Sequence, residues 1–528
     1  MQRGHDVAIV GGGHNGLVAA AYLAGAGKSV VVLERRAVVG GTVGTAEFAP
    51  GFRAPVGFPT AELLHPSIVE DLALGRHGLK LLSGRVGTFL PLANGEPLLL
   101  TGRGDGAAVR PPLSSGDAES LAAFQGFVER VGAVLESVFT APLPQVELRG
   151  IGDIVDLFKL GWRLRRLGRE EAREAMRYLP MAIQDVLDER FAGDALKAAI
   201  AWPALTASWL GPRSPGSAYG LLHHRPAWCS ALFTPPVFAQ GGPGALASAL
   251  ASAASAAGAH IRTEASVTRI AVNRDGVNGV VLEDGEEIPA RVVVTAADLR
   301  HSLLELIDPV WLDPEFTTMV RNVRGRGTVA FVHLALETLP RFRLAPEGGD
   351  HLTGRIQIGP SLDYLERAFD GVKYGRVPAE LCLECTIPSL TDPTIAPHGK
   401  HLMVVWVQFV PHDLRSGTWE DEREKLGDRV VSLIESYAPG FMSSVLRRAV
   451  TTPVDIGQRF GLTQGCLYHA ELALDQLFYM RPVPGWYRYR TPIERFYLCG
   501  AGAHPGGGVT GLPGKNAARQ VLDDWKKG

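Results

Sequence analysis

The sequence contains few cysteines and no excess of charge of either sign. Five cysteines are scattered through 528 residues, which is too few, and an odd number, for a disulfide framework. This scarcity favours a reducing compartment, and we expect a cytoplasmic protein. Lysine and arginine together number 53 against 55 aspartate and glutamate residues, which gives a net charge of -2 at pH 7. The overall charge therefore gives no reason to expect a nucleic-acid partner.

Long apolar runs are also missing. The longest ones stay short of the roughly 18–20 residues that a membrane-spanning helix needs. The opening MQRGHD leads directly into a strand, so we expect no signal peptide. Residues 151–169 combine apolar positions at helical intervals with basic residues. Such a helix can lie on a membrane surface or can be a solvated cap helix with one buried face. Peripheral membrane contact and homo-oligomer formation both stay open.

The first forty residues carry a strand–turn–helix–strand pattern with glycines at defined spacings. Residues 6–10 (DVAIV) and 29–33 (SVVVL) are short, β-branched apolar runs typical of buried parallel strands, and a helical segment lies between them. In the turn, Gly11 permits a tight bend, and Gly13 lets a pyrophosphate approach the backbone. Gly16 lets the helix pack closely on the strand. This setting makes the glycine fingerprint a specific signal for a dinucleotide.

An acidic residue and a second glycine pair follow this turn. Glu34 ends the second strand about 20 residues after the fingerprint, where a carboxylate accepts hydrogen bonds from a ribose. The pyrophosphate would lie at the helix amino terminus, whose free N–H groups favour negative charge. Gly40 and Gly41 match the extension seen in FAD-binding proteins of the glutathione-reductase and amine-oxidase type. We therefore predict a Rossmann-type unit that binds FAD rather than a nicotinamide cofactor.

Two later segments suit the same flavin-binding fold. Three strand-like runs, separated by the hairpin signals NRDG and EDG, occupy 265–273, 277–283 and 286–294. The first of these strands would place Val267 near the adenine. Toward the carboxyl end, FYLC at 496–499 is typical of a buried strand, and GAGAHPGGGVTG and a predicted helix at 513–524 follow it. The glycines of that turn leave backbone amides uncovered, which suits contact with the ribityl chain, the pyrophosphate or the flavin ring edge.

A chain of this length has room for more than one core-forming unit. We predict an FAD-binding domain assembled from residues 1–80, 235–300 and 455–528. Residues 81–234 and 301–454 are predicted to form a substrate-binding domain, with a helical cap at about 117–230. Strand-like runs such as TVAFVHLAL and HLMVVWVQFV suit a sheet that floors a substrate cavity. The predicted fold class is therefore α/β, with an α+β substrate domain.

Together these motifs resemble the phytoene desaturase-like family of FAD-dependent oxidoreductases, which includes carotenoid and retinoid oxidoreductases. The matching stretches are spread over nearly the whole chain and include GGGHNGLVAAAYLAGAGKSVVVLERRAVVGGT, SPGSAYGLLHH, HAELALDQLFYMRPVP and YLCGAGAHPGGGVTGLPGKNAAR. The chain is most similar to the branch called pyridine nucleotide-disulphide oxidoreductase domain-containing protein 2. The resemblance implies FAD, a Rossmann-type flavin domain and a second domain that holds a mostly apolar substrate.

The predicted cofactor contacts lie at both ends of the chain and in the strand meander between them. They are Gly11, Gly13, Asn15, Gly16, Glu34, Arg35, Gly40, Gly41, Thr42, Val267, Gly500, Ala501, Gly507, Gly508 and Val509. One of them departs from the family pattern. Thr42 follows the second glycine pair, whereas related desaturases and amine oxidases usually carry an arginine there. An arginine contact to the phosphates is therefore in doubt at that position.

The branch name implies a pyridine nucleotide and a redox disulfide, which the residues do not support. The sequence has no second glycine fingerprint in a βαβ setting. Cys382 and Cys385 form a CxxC pair, but they fall in a strand-like run where their side chains point apart. We therefore predict oxygen or a quinone, rather than NAD(P), as the electron acceptor.

Two histidines are candidates for catalytic proton transfer. His504 lies in the glycine-rich turn expected beside the flavin, and His469 lies just upstream in GCLYHAELALDQLF. An imidazole can accept or relay a proton near neutral pH. Each histidine could instead only hydrogen-bond a loop or shape the cavity. No group of histidine, cysteine or acidic residues has metal-ligand spacing, so we predict no metal site.

The sequence leaves three functions open. The first is an FAD-dependent oxidoreductase that desaturates or oxidises a hydrophobic, isoprenoid-like substrate. The second is an amine-oxidase-like enzyme that acts on a smaller polar substrate. The third is a flavin-bearing binding or regulatory protein with little turnover. A fold alone does not choose among them, because related folds carry different chemistry.

Overall fold

The computed structural model describes residues 4–93, 95–101, 108–145, 158, 161–163, 165–229, 231–345 and 348–527. Two large sheets organise these residues, and helices cover both of them. Strands and helices are numbered in chain order within the described residues.

The first sheet gathers strands from both ends of the chain and from its middle. In spatial order its strands are β10 (His260–Arg262), β2 (Val30–Leu33), β1 (His5–Val10), β13 (Glu287–Thr295), β12 (Gly276–Leu282) and β11 (Val267–Asn273). A seventh strand, β19 (Phe496–Leu498), pairs in parallel with β13. β1 pairs in parallel with β2 and β13, and its residues Val7, Ala8 and Ile9 are wholly buried. Such burial is expected of a parallel sheet covered on both faces. The predicted Rossmann-type α/β fold is confirmed.

The second sheet has eight strands drawn from two distant stretches of the chain. In spatial order they are β18 (Val445–Thr451), β14 (Val329–Leu336), β17 (His401–Gln408), β16 (Cys382–Thr386), β15 (Arg355–Ile358), β6 (Thr88–Leu90), β7 (Leu98–Thr101) and β8 (Ala108–Arg110). All neighbours are antiparallel except β15 and β6, which are parallel. Two small hairpins complete the strands: β3 (Thr45–Ala49) with β4 (Phe52–Pro55), and β5 (Leu81–Ser83) with β9 (Val237–Ala239).

Fourteen α-helices have bounds that fall within the described part of the chain. They are α1 (His14–Gly25), α2 (Pro66–Asp71), α3 (Ser115–Phe139), α4 (Arg169–Tyr178), α5 (Ile183–Asp188), α6 (Asp194–Leu205), α7 (Ser217–His224), α8 (Gly244–Ala256), α9 (Pro314–Asn322), α10 (Leu362–Lys373), α11 (Trp419–Tyr437), α12 (Phe441–Ser444), α13 (Pro453–Phe460) and α14 (Leu512–Trp525). The helices α3 to α7 fall in the stretch for which the sequence predicts a helical cap.

The two faces of the second sheet have different surroundings. One face carries aliphatic side chains such as Ile356, Leu383 and Val405, which pack against Val430 and Ile434 of α11. The opposite face carries Phe331 and Trp406, which share a core cluster with helices of the predicted cap and with Tyr468. We call this second face the inner face. Alternation of side chains along each strand places these two sets on opposite sides.

Within the described residues, no helix is both long enough and apolar enough to cross a bilayer. Of the amphipathic segment predicted at 151–169, residues 151–157, 159, 160 and 164 lie outside the described residues. Phe158 and Trp162 are exposed, and their rings stack with centroids 6.3 Å apart.

Candidate cofactor site and active site

The glycine fingerprint forms the turn that joins β1 to α1. Gly11 has a φ of +96°, which favours glycine. A Cβ on Gly16 would lie 2.2 Å from the carbonyl oxygen of Gly11, so only glycine allows the helix to approach the turn this closely. Gly13 is the N-cap of α1 and provides no side-chain cap. The first N–H groups of α1 are therefore left for another acceptor.

The second glycine pair packs directly on this turn. The Gly40 amide donates to the carbonyl oxygen of Gly12 at 2.8 Å, and Gly13 and Gly40 form an isolated bridge. Gly40 has a φ of +115°, and a Cβ there would lie 2.5 Å from the carbonyl oxygen of Val43. The pair thus allows the second loop to pack against the turn, and it keeps side chains away from the amino terminus of α1.

Glu34 lies at the carboxyl end of β2 with its carboxylate fixed by two backbone amides. The amide of Gly12 donates to Oε2 at 2.9 Å, and the amide of Arg36 donates to Oε1 at 3.0 Å. The side chain is almost fully buried, yet it lines the cavity described below. Each carboxylate oxygen can accept more than one hydrogen bond. The fixed carboxylate therefore has capacity left for the hydroxyl groups of a ribose.

A cavity of about 420 Å³ runs along these elements. Its lining includes the following predicted cofactor residues: Gly11, Gly13, Asn15, Glu34, Arg35, Gly41, Thr42, Val267, Ala501 and Gly508. The other predicted residues do not line it: Gly16, Gly40, Gly500, Gly507 and Val509. Several of these lie behind the lining and set its shape through close backbone contacts. For example, a Cβ on Gly500 would lie 2.7 Å from the carbonyl oxygen of Ala296.

The glycine-rich turn near the carboxyl end meets the amino-terminal turn at this cavity. Gly508 has a φ of +101° and lines the cavity. The helix α14 follows directly, and its N-cap, Gly511, provides no side-chain cap. A Cβ on Gly514 would lie 2.2 Å from the carbonyl oxygen of Asn15, so α14 and α1 pack closely near their first turns. The uncapped start of α1 thus lies beside this cavity, which suits an anionic ligand. At the start of α14, by contrast, the N–H of Leu512 donates to Oγ1 of Thr510 at 3.2 Å.

The polar groups of the cavity suit a dinucleotide with a pyrophosphate. The Nε2 atom of His14 and the Oδ1 atom of Asn15 are buried and have no partner among the described residues. Arg35 and Arg36 also line the cavity, so positive charge is present there although Thr42 replaces the usual arginine. Sequence reasoning missed His14 and Arg36. The only signals that could have found them are the place of His14 within the fingerprint and that of Arg36 two residues after Glu34.

Only one of the two candidate catalytic histidines reaches the cavity. His469 lines it, has a φ of +58°, and is followed by the buried Ala470. Burial lowers the pKa of His469, and Arg481 adds to that effect, while Asp298 opposes it. His504 is 1% exposed and does not line the cavity. Its Nε2 donates to the carbonyl oxygen of Val138 at 2.9 Å, which ties the glycine-rich turn to the end of α3.

A fully buried guanidinium holds the loop that carries His469. Arg481 donates to the carbonyl oxygens of Tyr468 at 2.8 Å and of Ala501 at 2.7 Å, and to three further backbone carbonyls. Burial lowers its pKa to about 10. The charge therefore interacts mainly with carbonyl dipoles, which join the His469 loop to the turn at Ala501. Sequence reasoning missed this residue because an arginine before a proline in a loop is usually exposed.

Aromatic side chains form a wall where the cavity meets the inner face of the second sheet. Phe58 lines the cavity, and its ring stacks on Tyr468 with centroids 6.0 Å apart and contacts Trp406 at 6.1 Å. The ring of Trp406 contacts Phe331 edge-on at 5.1 Å. We call Phe58, Phe331, Trp406 and Tyr468 the aromatic wall. It makes the surroundings of this part of the cavity largely apolar.

Two histidines of the predicted cap connect it to the wall and the turn. His223 and His224 lie on α7 and are both buried. The Nε2 atom of His223 donates to the carbonyl oxygen of Gly507 at 2.9 Å, and His224 hydrogen-bonds the Tyr468 hydroxyl at 2.6 Å. The sequence gives no sign of these distant partners.

The CxxC pair lies in β16 with its two thiols in different core clusters on opposite faces of the sheet. Burial raises the pKa of Cys382 and of Cys385, which disfavours the reactive thiolate. The described residues contain no group of three or more histidine, cysteine or acidic side chains that could hold a metal ion.

Known proteins share both the sequence pattern and the fold. The profile of the family described as flavin containing amine oxidoreductase matches residues 156–522, and that of an NAD(P)-binding Rossmann-like domain matches residues 9–70. A Mus musculus protein named pyridine nucleotide-disulfide oxidoreductase domain-containing protein 2 is 37% identical over 550 residues, covering 99% of this chain and 94% of that protein.

Two further proteins extend the comparison. The phytoene desaturase (neurosporene-forming) of Rhodobacter capsulatus is 29% identical over 298 residues, which cover 55% of this chain and 54% of that protein. The structure of a putrescine oxidase variant covers 99% of both chains with a TM-score of 0.63 and 18% identity. That likeness shows the fold.

These matches agree with the site built from the residues. The fingerprint, the fixed Glu34 carboxylate and the uncapped start of α1 fit the ADP part and the pyrophosphate of FAD. The protein is an FAD-dependent oxidoreductase, and the chain belongs to the flavin-containing amine oxidoreductase family.

Proposed function

We propose that this enzyme oxidises a C–H bond of a largely apolar, isoprenoid-like substrate, either desaturating or otherwise oxidising it. The observation that carries this proposal is the aromatic wall. Its rings lie where the cofactor cavity meets the inner face, and Phe58 belongs to both. A polar substrate would lose hydration there without gaining hydrogen bonds. An apolar chain loses no hydrogen bonds when it packs against these rings.

FAD, when bound, supplies the hydride acceptor, and the protein supplies binding, orientation and a dry site. The first turn of α1 would hold the phosphates, and the Glu34 carboxylate would accept hydrogen bonds from the ribose. Phe58 and Tyr468 exclude water from the neighbouring space. These parts position the cofactor and substrate without adding a reactive group of their own.

His469 is the side chain that we propose to accept a proton from the substrate. It lines the cavity, and burial lowers its pKa, so the imidazole is neutral at physiological pH. A neutral imidazole can accept a proton, and positioned general bases contribute about 100-fold to 10,000-fold to a rate. We expect His469→Gln to slow flavin reduction by at least about 100-fold while FAD remains bound.

One relative supports the choice of substrate, and the geometry of the CxxC pair supports the choice of electron acceptor. A phytoene desaturase is among the relatives, and its name places its action on a phytoene substrate. The buried thiols of the CxxC pair have raised pKa values and lie on opposite faces of β16. This arrangement does not suit a redox disulfide. We therefore propose oxygen or a quinone as the acceptor.

The test is an anaerobic absorbance titration of the purified, FAD-loaded enzyme. The candidate reductants are an isoprenoid hydrocarbon in micelles, a set of primary amines, and NADH and NADPH. Bleaching of the oxidised-flavin bands by the isoprenoid alone supports the proposal. Bleaching by amines would favour the amine-oxidase-like alternative. Bleaching by NADH or NADPH would show that the enzyme accepts a nicotinamide, contrary to the proposal. A flavin that no compound reduces would favour a binding protein with little turnover.

A further inference from the structure

The inner face of the second sheet carries a buried polar cluster beside the aromatic wall. Directly opposed residues on four neighbouring strands form one row: Gln357 on β15, Glu384 on β16, Trp406 on β17 and Phe331 on β14. Opposed side chains on one face of a sheet lie about 5 Å apart. The aromatic half of this row belongs to the wall, and the polar half continues from it into the interior.

Charges in the polar half are balanced by two buried guanidinium groups. Arg355 has only 4% of its side chain exposed; it donates to the carboxylate of Glu62, and its Nε lies 3.7 Å from Oε1 of Glu384. Arg225 is also buried and interacts electrostatically with Glu62. Two carboxylates therefore face two positive charges. Burial raises the pKa of Glu384, and Arg355 opposes that rise.

Several acceptor atoms of this cluster have no donor. Gln357 is 1% exposed, and its Nε2 donates to Oε2 of Glu384 at 2.9 Å, so its amide faces the cluster. Its Oε1 atom, Oε2 of Glu62 and Oγ1 of Thr386 are buried without a hydrogen-bond partner among the described residues. Buried polar atoms are nearly always paired, and leaving one unpaired costs free energy. The oxygens of Gln357 and Glu62 therefore call for a donor, whereas the Thr386 hydroxyl can either accept or donate.

The loop that carries Glu62 connects the cluster to the cofactor cavity. Glu384 keeps 19% of its side-chain surface accessible, although its neighbour Gln357 is almost fully enclosed. Glu62 belongs to the loop that also carries Phe58 and Leu63. A Cβ on Gly508 of the cofactor cavity would lie 3.1 Å from Cδ1 of Leu63. The loop therefore contacts the cofactor cavity and the polar cluster at once.

We propose that Glu62, Gln357, Glu384 and Thr386 form a head-group site that binds a hydroxyl group, or another neutral hydrogen-bond donor, on the otherwise apolar substrate. A hydroxyl supplies the donor that the unpaired acceptors need and adds no charge to a balanced cluster. An ammonium group would add an uncompensated positive charge, and a carboxylate would bring only acceptors. The inference rests on the proposed function, because it concerns the head group of the same substrate.

The test measures binding to the FAD-loaded enzyme through the perturbation of flavin absorbance, which needs no turnover. The probes share a ten-carbon chain: 1-decanol, decyl methyl ether, decylamine and decanoic acid. We expect 1-decanol to bind at least about tenfold more tightly than the ether, which accepts hydrogen bonds but cannot donate one. Gln357→Met should remove that preference. Cys385→Ala, which truncates a buried side chain on the opposite face of β16, should retain it.

The outcomes separate this inference from the function on which it rests. Equal affinities for the alcohol and the ether, or no binding by either, overturn the head-group site. Tighter binding of decylamine or decanoic acid than of 1-decanol overturns the choice of a neutral donor. An alcohol preference that depends on Gln357 supports the site, even where isoprenoids fail to bleach the flavin. Failure of isoprenoids to bleach the flavin would count against the proposed function alone.

Discussion

His333 provides a direct test of how burial controls the pH dependence of stability. It lies on β14, is 5% exposed, and packs among the rings of Phe48 and Phe331. Burial lowers its pKa from 6.5 to about 4, and Arg459 contributes in the same direction. The unfolded chain therefore binds a proton below pH 6.5 that the folded protein does not bind until about pH 4. Stability is lost as the pH falls through this window.

The size of the loss follows from the two pKa values. At pH 5.5 this one histidine lowers the free energy of unfolding by about 1.4 kcal/mol, and at pH 7.5 its effect is close to zero. Three other histidines, His14, His223 and His504, also have pKa values lowered by burial to about 4. Together the four account for a loss on the order of 6 kcal/mol between pH 7.5 and pH 5.5.

The perturbation is His333→Phe, which keeps an aromatic ring and removes the titrating group. Urea unfolding at saturating FAD, followed by circular dichroism and tryptophan fluorescence, gives the free energy of unfolding at pH 7.5 and pH 5.5. We expect the variant to lose about 1.4 kcal/mol less between these pH values than the unmodified protein. Any packing cost of the larger ring is present at both pH values and cancels from this difference.

Two features of the design isolate the histidine. His333 does not line the cofactor cavity, so the pH dependence of FAD binding is common to both proteins. His398→Gln changes an exposed histidine and is the matched control; we expect it to leave the pH dependence unchanged. A His333→Phe variant that loses as much stability as the unmodified protein, within about 0.3 kcal/mol, would refute the reasoning.

Further substitutions test the cofactor cradle and its supports. Gly16→Ala should weaken FAD binding on the order of 100-fold in a fluorescence titration, because the added Cβ collides with the turn. The control Gly25→Ala, at the open end of α1, should bind FAD normally. Arg481→Met should lower the free energy of unfolding by at least about 3 kcal/mol in urea. His504→Gln should keep the rate of flavin reduction within about threefold, since its contact is structural; a drop of about 100-fold with FAD bound would make it catalytic.

The Rossmann unit could be predicted because its signals are local. The strands predicted at 265–273, 277–283 and 286–294 occur at 267–273, 276–282 and 287–295. Each is bounded by turn residues that fix the hairpin. The predicted carboxyl-terminal helix at 513–524 likewise corresponds to α14, Leu512–Trp525.

The composition of the second sheet could not be predicted, because its pairing is not local. β6 and β15 lie side by side in parallel, with Thr88 opposite Arg355, although about half of the chain separates them. No local sequence signal, such as a turn residue, predicts a pairing between strands this far apart in the chain. The polar cluster on the inner face was missed for the same reason, since Glu62 and Glu384 come together only through Arg355.

The position of His504 within a motif did not predict whether its side chain lines the cofactor cavity. His504 lies within the glycine-rich turn, and this closeness in sequence suggests closeness to the cofactor. In the fold the turn directs its side chain toward Val138 in the helical region, whereas His469 faces the cavity from a neighbouring loop. Gly502 and Gly506, two positions to either side of His504, leave the direction of the turn open, so the sequence alone does not distinguish the two arrangements.

The uncapped start of α1 links cofactor binding to the stability of the fold. Ser114, Ser361, Thr418 and Thr452 cap other helices through their side chains. Each such cap stabilises a protein by about 1 kcal/mol by occupying an N–H group at the helix start. At α1 the N-cap is Gly13, the first turn holds no acidic residue, and the cofactor cavity lies beside it. The apoprotein therefore forgoes this stabilisation there, and a bound pyrophosphate would restore it, so we expect cofactor binding and folding to be coupled at this helix.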